Sequence, residues 1–142
     1  MPESFAPSAS PGLLLWRATL TWQRGITAAL KPMSLTHVQF VLLASTWWLT
    51  RVAEETPSQR RIAEHANTDP MMTSQVIRTL EGKGLLQRTP NLGDSRAMLV
   101  DVTAAGADLA VQAVKVVEEA DEAFFAAVAD RATLVNVLDA LS

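Results

Sequence analysis

Two helix-start signals stand thirteen residues apart near the middle of the chain: Thr56-Pro57-Ser58-Gln59 and Asn67-Thr68-Asp69-Pro70. Each places a short polar side chain, able to accept from free backbone N–H groups, before a proline whose fixed φ and missing N–H suit the first helical position. In the first, Thr56 caps, Pro57 opens the helix and Gln59 closes a capping box, which predicts a short helix over residues 57–65. In the second, Asp69 or Thr68 caps and Pro70 opens a helix running to about Gly82, with Gly84 as its left-handed exit. Only three or four residues separate the two, so the pair reads as a helix-turn-helix.

What flanks this pair fixes the fold class. After Gly84, residues 86–89 and 97–102 read as short strands around Pro90-Asn91-Leu92-Gly93-Asp94-Ser95-Arg96. Met98, Val100 and Val102 alternate there with Leu99 and Asp101. A hairpin following a helix-turn-helix makes a winged helix. Upstream, apolar spacing predicts a helix over residues 13–30, ended by Lys31-Pro32. A Thr36/Gln39 capping box then opens an almost wholly apolar helix, the expected centre of the domain. Downstream, Thr103 caps a long helix over residues 104–129 and Asp130 caps a last short one. The expected chain is mainly α with a small β-hairpin wing: a flexible N-terminal tail (1–12), an N-terminal dimerisation helix and connection (13–34), a winged helix-turn-helix DNA-binding domain (35–103) and C-terminal dimerisation helices (104–142).

The dimer follows from length. A 26-residue helix spans roughly 39 Å, about the whole diameter of a 142-residue domain. It is apolar where a stalk would be wet (Leu109, Val111, Val114, Phe124, Phe125), so a second copy of the chain is the economical cover, with the first and last helices packing there too.

Composition excludes several functions. The chain has no Cys and two His, which removes disulfides, Cys-ligated metals and thiol sensing, so no metal and no cofactor is expected. There is no nucleophile motif and no Gly-rich phosphate loop, so an enzyme is not expected. Met1-Pro2-Glu3-Ser4 lacks the basic start of a signal peptide and no apolar run reaches the ~20 residues of a membrane span, so the expectation is a cytoplasmic protein with no membrane partner. The net charge of −3 is uneven: residues 104–142 carry two Lys/Arg against seven Asp/Glu, whereas residues 56–103 carry six against five. Five of those six are Arg, the side chain that suits phosphate and base edges.

On the second helix of the pair, Met72, Val76 and Leu80, with Ile77 beside them, form the expected core stripe. Met71, Ser74, Gln75 and Arg78 form the opposite one. In a recognition helix Gln75 reads adenine, Arg78 takes guanine or a phosphate, Ser74 and the N-terminus at Pro70 suit phosphate, and Met71 packs on a thymine methyl or fills space. In the hairpin, Asp94 sits two residues from Arg96 and can hold its guanidinium ready for a narrow minor groove. Taken singly, each stripe is also what a solvated surface looks like.

At these residues the chain resembles the MarR family of bacterial transcriptional regulators. The resemblance covers about residues 35–106: Leu35-Thr36 with Gln39, then Arg61-Ile62-Ala63-Glu64. It continues through Leu80-Glu81-Gly82-Lys83-Gly84-Leu85-Leu86-Gln87-Arg88, Asp94-Ser95-Arg96 and Val102-Thr103-Ala104-Ala105-Gly106. It implies a winged-helix homodimer on a pseudo-palindromic double-stranded DNA operator, usually a repressor, with Ser74, Gln75 and Arg78 on the base-reading helix and Asp94 and Arg96 on the wing. Asn67 stands where many members have Gly in the turn. Many members release DNA when a small aromatic acid binds. Trp16, Trp22, Trp47 and Trp48 are the candidates to line such a site, with His37 or Arg17 to meet a carboxylate; the same tryptophans also suit core and dimer contacts. The competing reading is a winged-helix protein-interaction module that does not bind DNA and uses the acidic C-terminal region.

Overall fold

A computed structural model of the chain describes residues 5–142, with residues 94–96 described in backbone only. Eight regular elements follow one another: α1 (Pro11–Leu30), α2 (His37–Trp47), α3 (Gln59–Ala66), α4 (Pro70–Gly82), β1 (Leu86–Asn91), β2 (Asp94–Val102), α5 (Ala104–Phe124) and α6 (Arg131–Leu141). The chain divides into two compact units, one of residues 30–116 and one made of the residues up to Ala29 with Val117–Ser142.

The unit of residues 30–116 is the winged helix-turn-helix. Its core is made by Leu42, Leu43 and Leu49 against Ile62, Ile77, Leu80, Leu86 and Val100, all buried. As expected, α2 opens with a reciprocal capping box: Gln39 N donates to Thr36 Oγ1 (3.2 Å) and Thr36 N donates to Gln39 Oε1 (3.1 Å). The helix widens into a π-helical turn at Trp48–Val52. There the hydroxyls of Thr46 and Thr50 donate back to the carbonyls four residues earlier, both at 2.7 Å, a bonding pattern that bends helices. Strands β1 and β2 pair antiparallel from Leu86↔Val102 to Pro90↔Met98, with the turn at Leu92-Gly93. The hairpin is thus longer than the sequence suggests, because Pro90 and the 94–96 segment are inside it.

The start of α3 differs from the expectation. The cap of α3 is Ser58, whose Oγ accepts from Arg61 N (3.1 Å), so the helix begins at Gln59 rather than at Pro57. Pro57 is instead buried in extended backbone, its carbonyl accepting from Val100 N (2.9 Å) while Ser58 bridges Leu99. A long-range strand pairing overrides the local proline signal.

In the other unit, α1 starts two residues before the sequence expectation. Pro11 takes the first turn and Ser10 Oγ accepts from Leu13 N (3.2 Å). Helix α5 ends at Phe124 and gives way to a 3-10 turn at Phe125–Ala127, so it has 21 residues and spans about 32 Å, not ~39 Å. Asp130 caps α6 through Thr133, as expected. Trp22 Nε1 donates to Asp121 (2.7 Å), tying α1 to the end of α5. Among the described residues no single helix is long and apolar enough to cross a membrane.

Candidate nucleic-acid interface

The turn between α3 and α4 is closed by backbone chemistry. Asn67 adopts the left-handed conformation (φ 54°) that asparagine tolerates, and ends α3 where a glycine would serve equally. Asp69 then caps α4, its carboxylate accepting from Met72 N (2.8 Å), with Pro70 at the first position. Thr73 is fully buried beneath the turn. Its hydroxyl donates to the Asp69 carbonyl (2.7 Å) and accepts from the Thr68 hydroxyl (2.6 Å), so its buried oxygen is satisfied in both roles.

This arrangement sets the rotation of α4. The buried stripe is Thr73, Ile77 and Leu80, while Met72 and Val76 are only half-buried. The core face is therefore turned by about one residue from the Met72–Val76–Leu80 stripe expected from apolarity, because a threonine hydroxyl satisfied inside the turn can be buried. Met71 (76% exposed), Gln75, Arg78 and Thr79 point to solvent, and Pro70 is exposed at the helix start. Ser74 differs from its expected companions: it is half-buried, with its hydroxyl accepting from Gln59 Nε2 (3.5 Å).

Most positive charge around α4 is locally neutralised. Arg88 on β1 donates to Glu81 through Nε (3.3 Å) and Nη2 (3.0 Å), and its guanidinium holds the Glu81 carboxyl below the usual carboxylate range. Arg61 grips both carboxylate oxygens of Glu55, Nε to Oε1 (3.0 Å) and Nη2 to Oε2 (3.2 Å), lowering that carboxyl too. Arg60 pairs with Glu64 one turn on, and Arg51 with Asp101. Among the described residues Arg78 makes no ion pair, and it is the exposed cation on the outer face of α4.

The wing stem is anchored on both sides. Beyond the Pro57–Val100 bond, Thr103 Oγ1 donates to the Gly84 carbonyl (2.6 Å) and Thr103 N to that of Leu85 (3.1 Å). Gly84 takes φ +75°, the left-handed exit expected after α4. At the tip Gly93 N donates to Asn91 Oδ1 (3.0 Å) and Leu92 is fully exposed. The Asp94 and Arg96 side chains, assigned to the minor groove from sequence, lie outside the described residues.

The aromatic candidates fall in both units. Trp16 and Arg17 are exposed on α1, and Trp22 is engaged by Asp121. His37 and Trp47 occupy opposite ends of α2, ten residues or about 15 Å apart, so they do not share a site along that helix. Trp48 stacks on His65, with ring centroids 5.3 Å apart. Sequence reasoning missed Gln59, Glu81 and Arg88 as a group. The signal was present only as spacing: Glu81 and Arg88 are seven apart across the Gly84 turn. Gln59 was absorbed into a capping box it does not make.

Comparison with known proteins places this geometry. The MarR family model matches residues 35–98. The HTH-type transcriptional regulator YdcH of Bacillus subtilis is 42% identical over 135 residues, covering 95% of this chain and 91% of that protein. The MarR family protein Rv2887 of Mycobacterium tuberculosis, an HTH-type transcriptional repressor, is 33% identical over 82% of the chain and 80% of its own length. Its structure with salicylic acid superposes with a TM-score of 0.69 at 29% identity, covering 94% of this chain and 97% of that one. A mutant MarR from E. coli, complexed with operator DNA, gives a TM-score of 0.80 at 22% identity, covering 96% and 97%; it shares the fold.

Proposed function

The chain belongs to the MarR family and is a DNA-binding transcriptional regulator, and on that premise we propose that it is a cytoplasmic homodimeric repressor of a pseudo-palindromic operator. Each copy lays α4 in the major groove. Gln75 reads an adenine edge, Arg78 takes guanine or phosphate, and Met71 packs against a thymine methyl. The N-terminus at Pro70 faces phosphate. Arg96, steadied by Asp94, enters the adjacent minor groove. Two half-sites lie about one helical turn, or ~10 bp, apart.

The observation that carries this reading is the outer face of α4: Met71, Gln75 and Arg78 exposed, on a helix whose orientation is fixed by a fully satisfied turn. Replacing Arg78 with Ala removes about 1–3 kcal/mol of discrimination at one base position if it reads guanine. If it contacts phosphate, the same substitution weakens binding evenly and lowers the salt slope by about one ion. Fluorescence anisotropy against a selected operator duplex over a range of salt concentrations separates these cases. A lack of salt-dependent duplex binding would instead favour the protein-interaction reading.

Release by a small aromatic acid is the second part of the proposal, supported by Rv2887, whose structure holds salicylic acid. Such a ligand weakens DNA binding only by its differential affinity for the two states of the dimer. Four tryptophans supply the reporter. Salicylate that leaves both Trp emission and operator affinity unchanged would remove it from the set of effectors.

A further inference from the structure

Resting on that reading of α4 and the wing, we propose that Gln59 is a positioning residue that yokes the recognition helix to the wing, so that the two DNA contacts form as one event. Its side chain stands where three elements converge. Nε2 donates to Ser74 Oγ in the first half of α4 (3.5 Å), and Oε1 accepts from Arg88 Nη1 on β1 (3.4 Å). Arg88, with its side chain 20% exposed, is pinned in turn to Glu81 in the last turns of α4 (3.0 Å). The bonds close a ring: Ser74 to Gln59, to Arg88, to Glu81, and back along α4. Ser74 and Glu81 are seven residues or about 10.5 Å apart, so the ring spans two turns of the reading helix.

The backbone beside Gln59 completes the brace. Pro57 and Ser58 pair with Val100 and Leu99 on β2, while Gln59 reaches β1. Residues 57–59 thus hold both strands of the wing stem and one flank of α4. Fixing the stem against α4 fixes where the tip stands relative to the outer face of the helix. A reader whose two contacts are set in advance does not lose ordering entropy separately at each. The Gln59 bonds are at the long end of hydrogen-bond geometry and add little to folding stability, so coupling and stability are separable.

The test is a double-mutant cycle on DNA affinity. Arg78→Ala, Arg96→Ala and the double variant are measured against a duplex that the wild-type protein selects from a randomised pool. The set is repeated in Gln59→Leu, which keeps the volume and loses both bonds, and in Gln59→Glu, which keeps acceptors for Arg88 and for the Ser74 hydroxyl. With Gln59 intact, the effects of the two Arg substitutions depart from multiplicativity by at least about twofold. In Gln59→Leu they multiply within error, and Gln59→Glu restores the departure. Equal non-multiplicativity with and without the Gln59 side chain overturns the yoke, as does its absence in the wild-type background. If neither Arg substitution weakens binding alone, the assignment of the readers fails instead, and the yoke falls with it.

Discussion

Gly106 shows how much one missing carbon can decide. A Cβ built there would lie 1.8 Å from the Leu85 carbonyl oxygen, a backbone atom that cannot swing aside, and that oxygen already accepts from Thr103 N. Gly106→Ala should therefore push α5 off the wing stem and lower stability by about 1–3 kcal/mol in chemical denaturation, the usual cost of overpacking. Gly82, with nothing within 4 Å of an added Cβ, is the control: Gly82→Ala should be neutral or stabilising by up to about 0.5–1 kcal/mol. Charge at the residue scale gives a second prediction. Arg88 and Arg61 hold the carboxyls of Glu81 and Glu55 below their unfolded values. A depressed folded pKa contributes stability that is fully present above the unfolded value of about 4.3 and is lost as pH falls through the folded one. Glu81→Gln should thus be less stable than wild type at neutral pH, with the gap closing below about pH 4. A gap in Tm that stays constant from pH 7 to pH 3 would show that the ion pair contributes nothing.

At the scale of the element, the helix ends decide which parts of the fold were legible. Asp69-Pro70 was readable because nothing distant competes for it, and the cap forms as the local chemistry dictates. Thr36 with Gln39 and Asp130 with Thr133 were readable for the same reason. Thr56-Pro57 misled because Pro57 is claimed by β2, a partner more than forty residues away, and the cap moves to Ser58. The rotation of α4 was likewise hidden. A buried Thr73 violates the apolar pattern until its two hydrogen bonds inside the turn are known. Of the proposed readers, the exposure of Met71, Gln75 and Arg78 was within reach of periodicity. The engagement of Ser74 was not, since it depends on a side chain from another helix. Asp69→Ala removes the cap at the point where the helix would meet DNA, and should cost about 1 kcal/mol of stability. Thermal unfolding gives that cost. Because the fraying begins at Pro70 and Met71, operator affinity should fall as well, while Asp130→Ala, at the cap of α6 in the other unit, should leave half-site contacts untouched.

At the scale of the whole molecule, charge and apolarity are divided between the two units. Residues 30–116 carry nine Lys/Arg against eight Asp/Glu, and the other unit carries three against seven, so attraction to phosphate is local to the winged helix. The acidic unit displays a clustered apolar surface. Leu14, Leu15 and Trp16 on α1 and Val135, Leu138 and Leu141 on α6 are exposed in the single chain. Leu134, Leu138 and Leu141 share one face of α6, and the first two line an open apolar groove of about 430 Å³ with Leu14, Leu15, Trp22 and Phe124. A contiguous apolar face of this kind marks an interaction surface, and a second copy of the chain is the proposed cover. The sequence pointed to this pairing by an overlong α5. The helix is shorter than that argument assumed, and the exposed leucines now carry it. Leu138→Arg sets a charge on that face. A charge buried there without a partner costs about 3–5 kcal/mol, which raises the dimer dissociation constant roughly 10²–10⁴-fold. Sedimentation should then find monomer at concentrations where the wild type is dimeric. A duplex carrying both half-sites should lose its advantage over one carrying a single half-site, because the second contact is no longer intramolecular. If Leu138→Arg stays dimeric and keeps full operator affinity, the α6 face lies outside the pairing and the two-copy grip must be built from other residues.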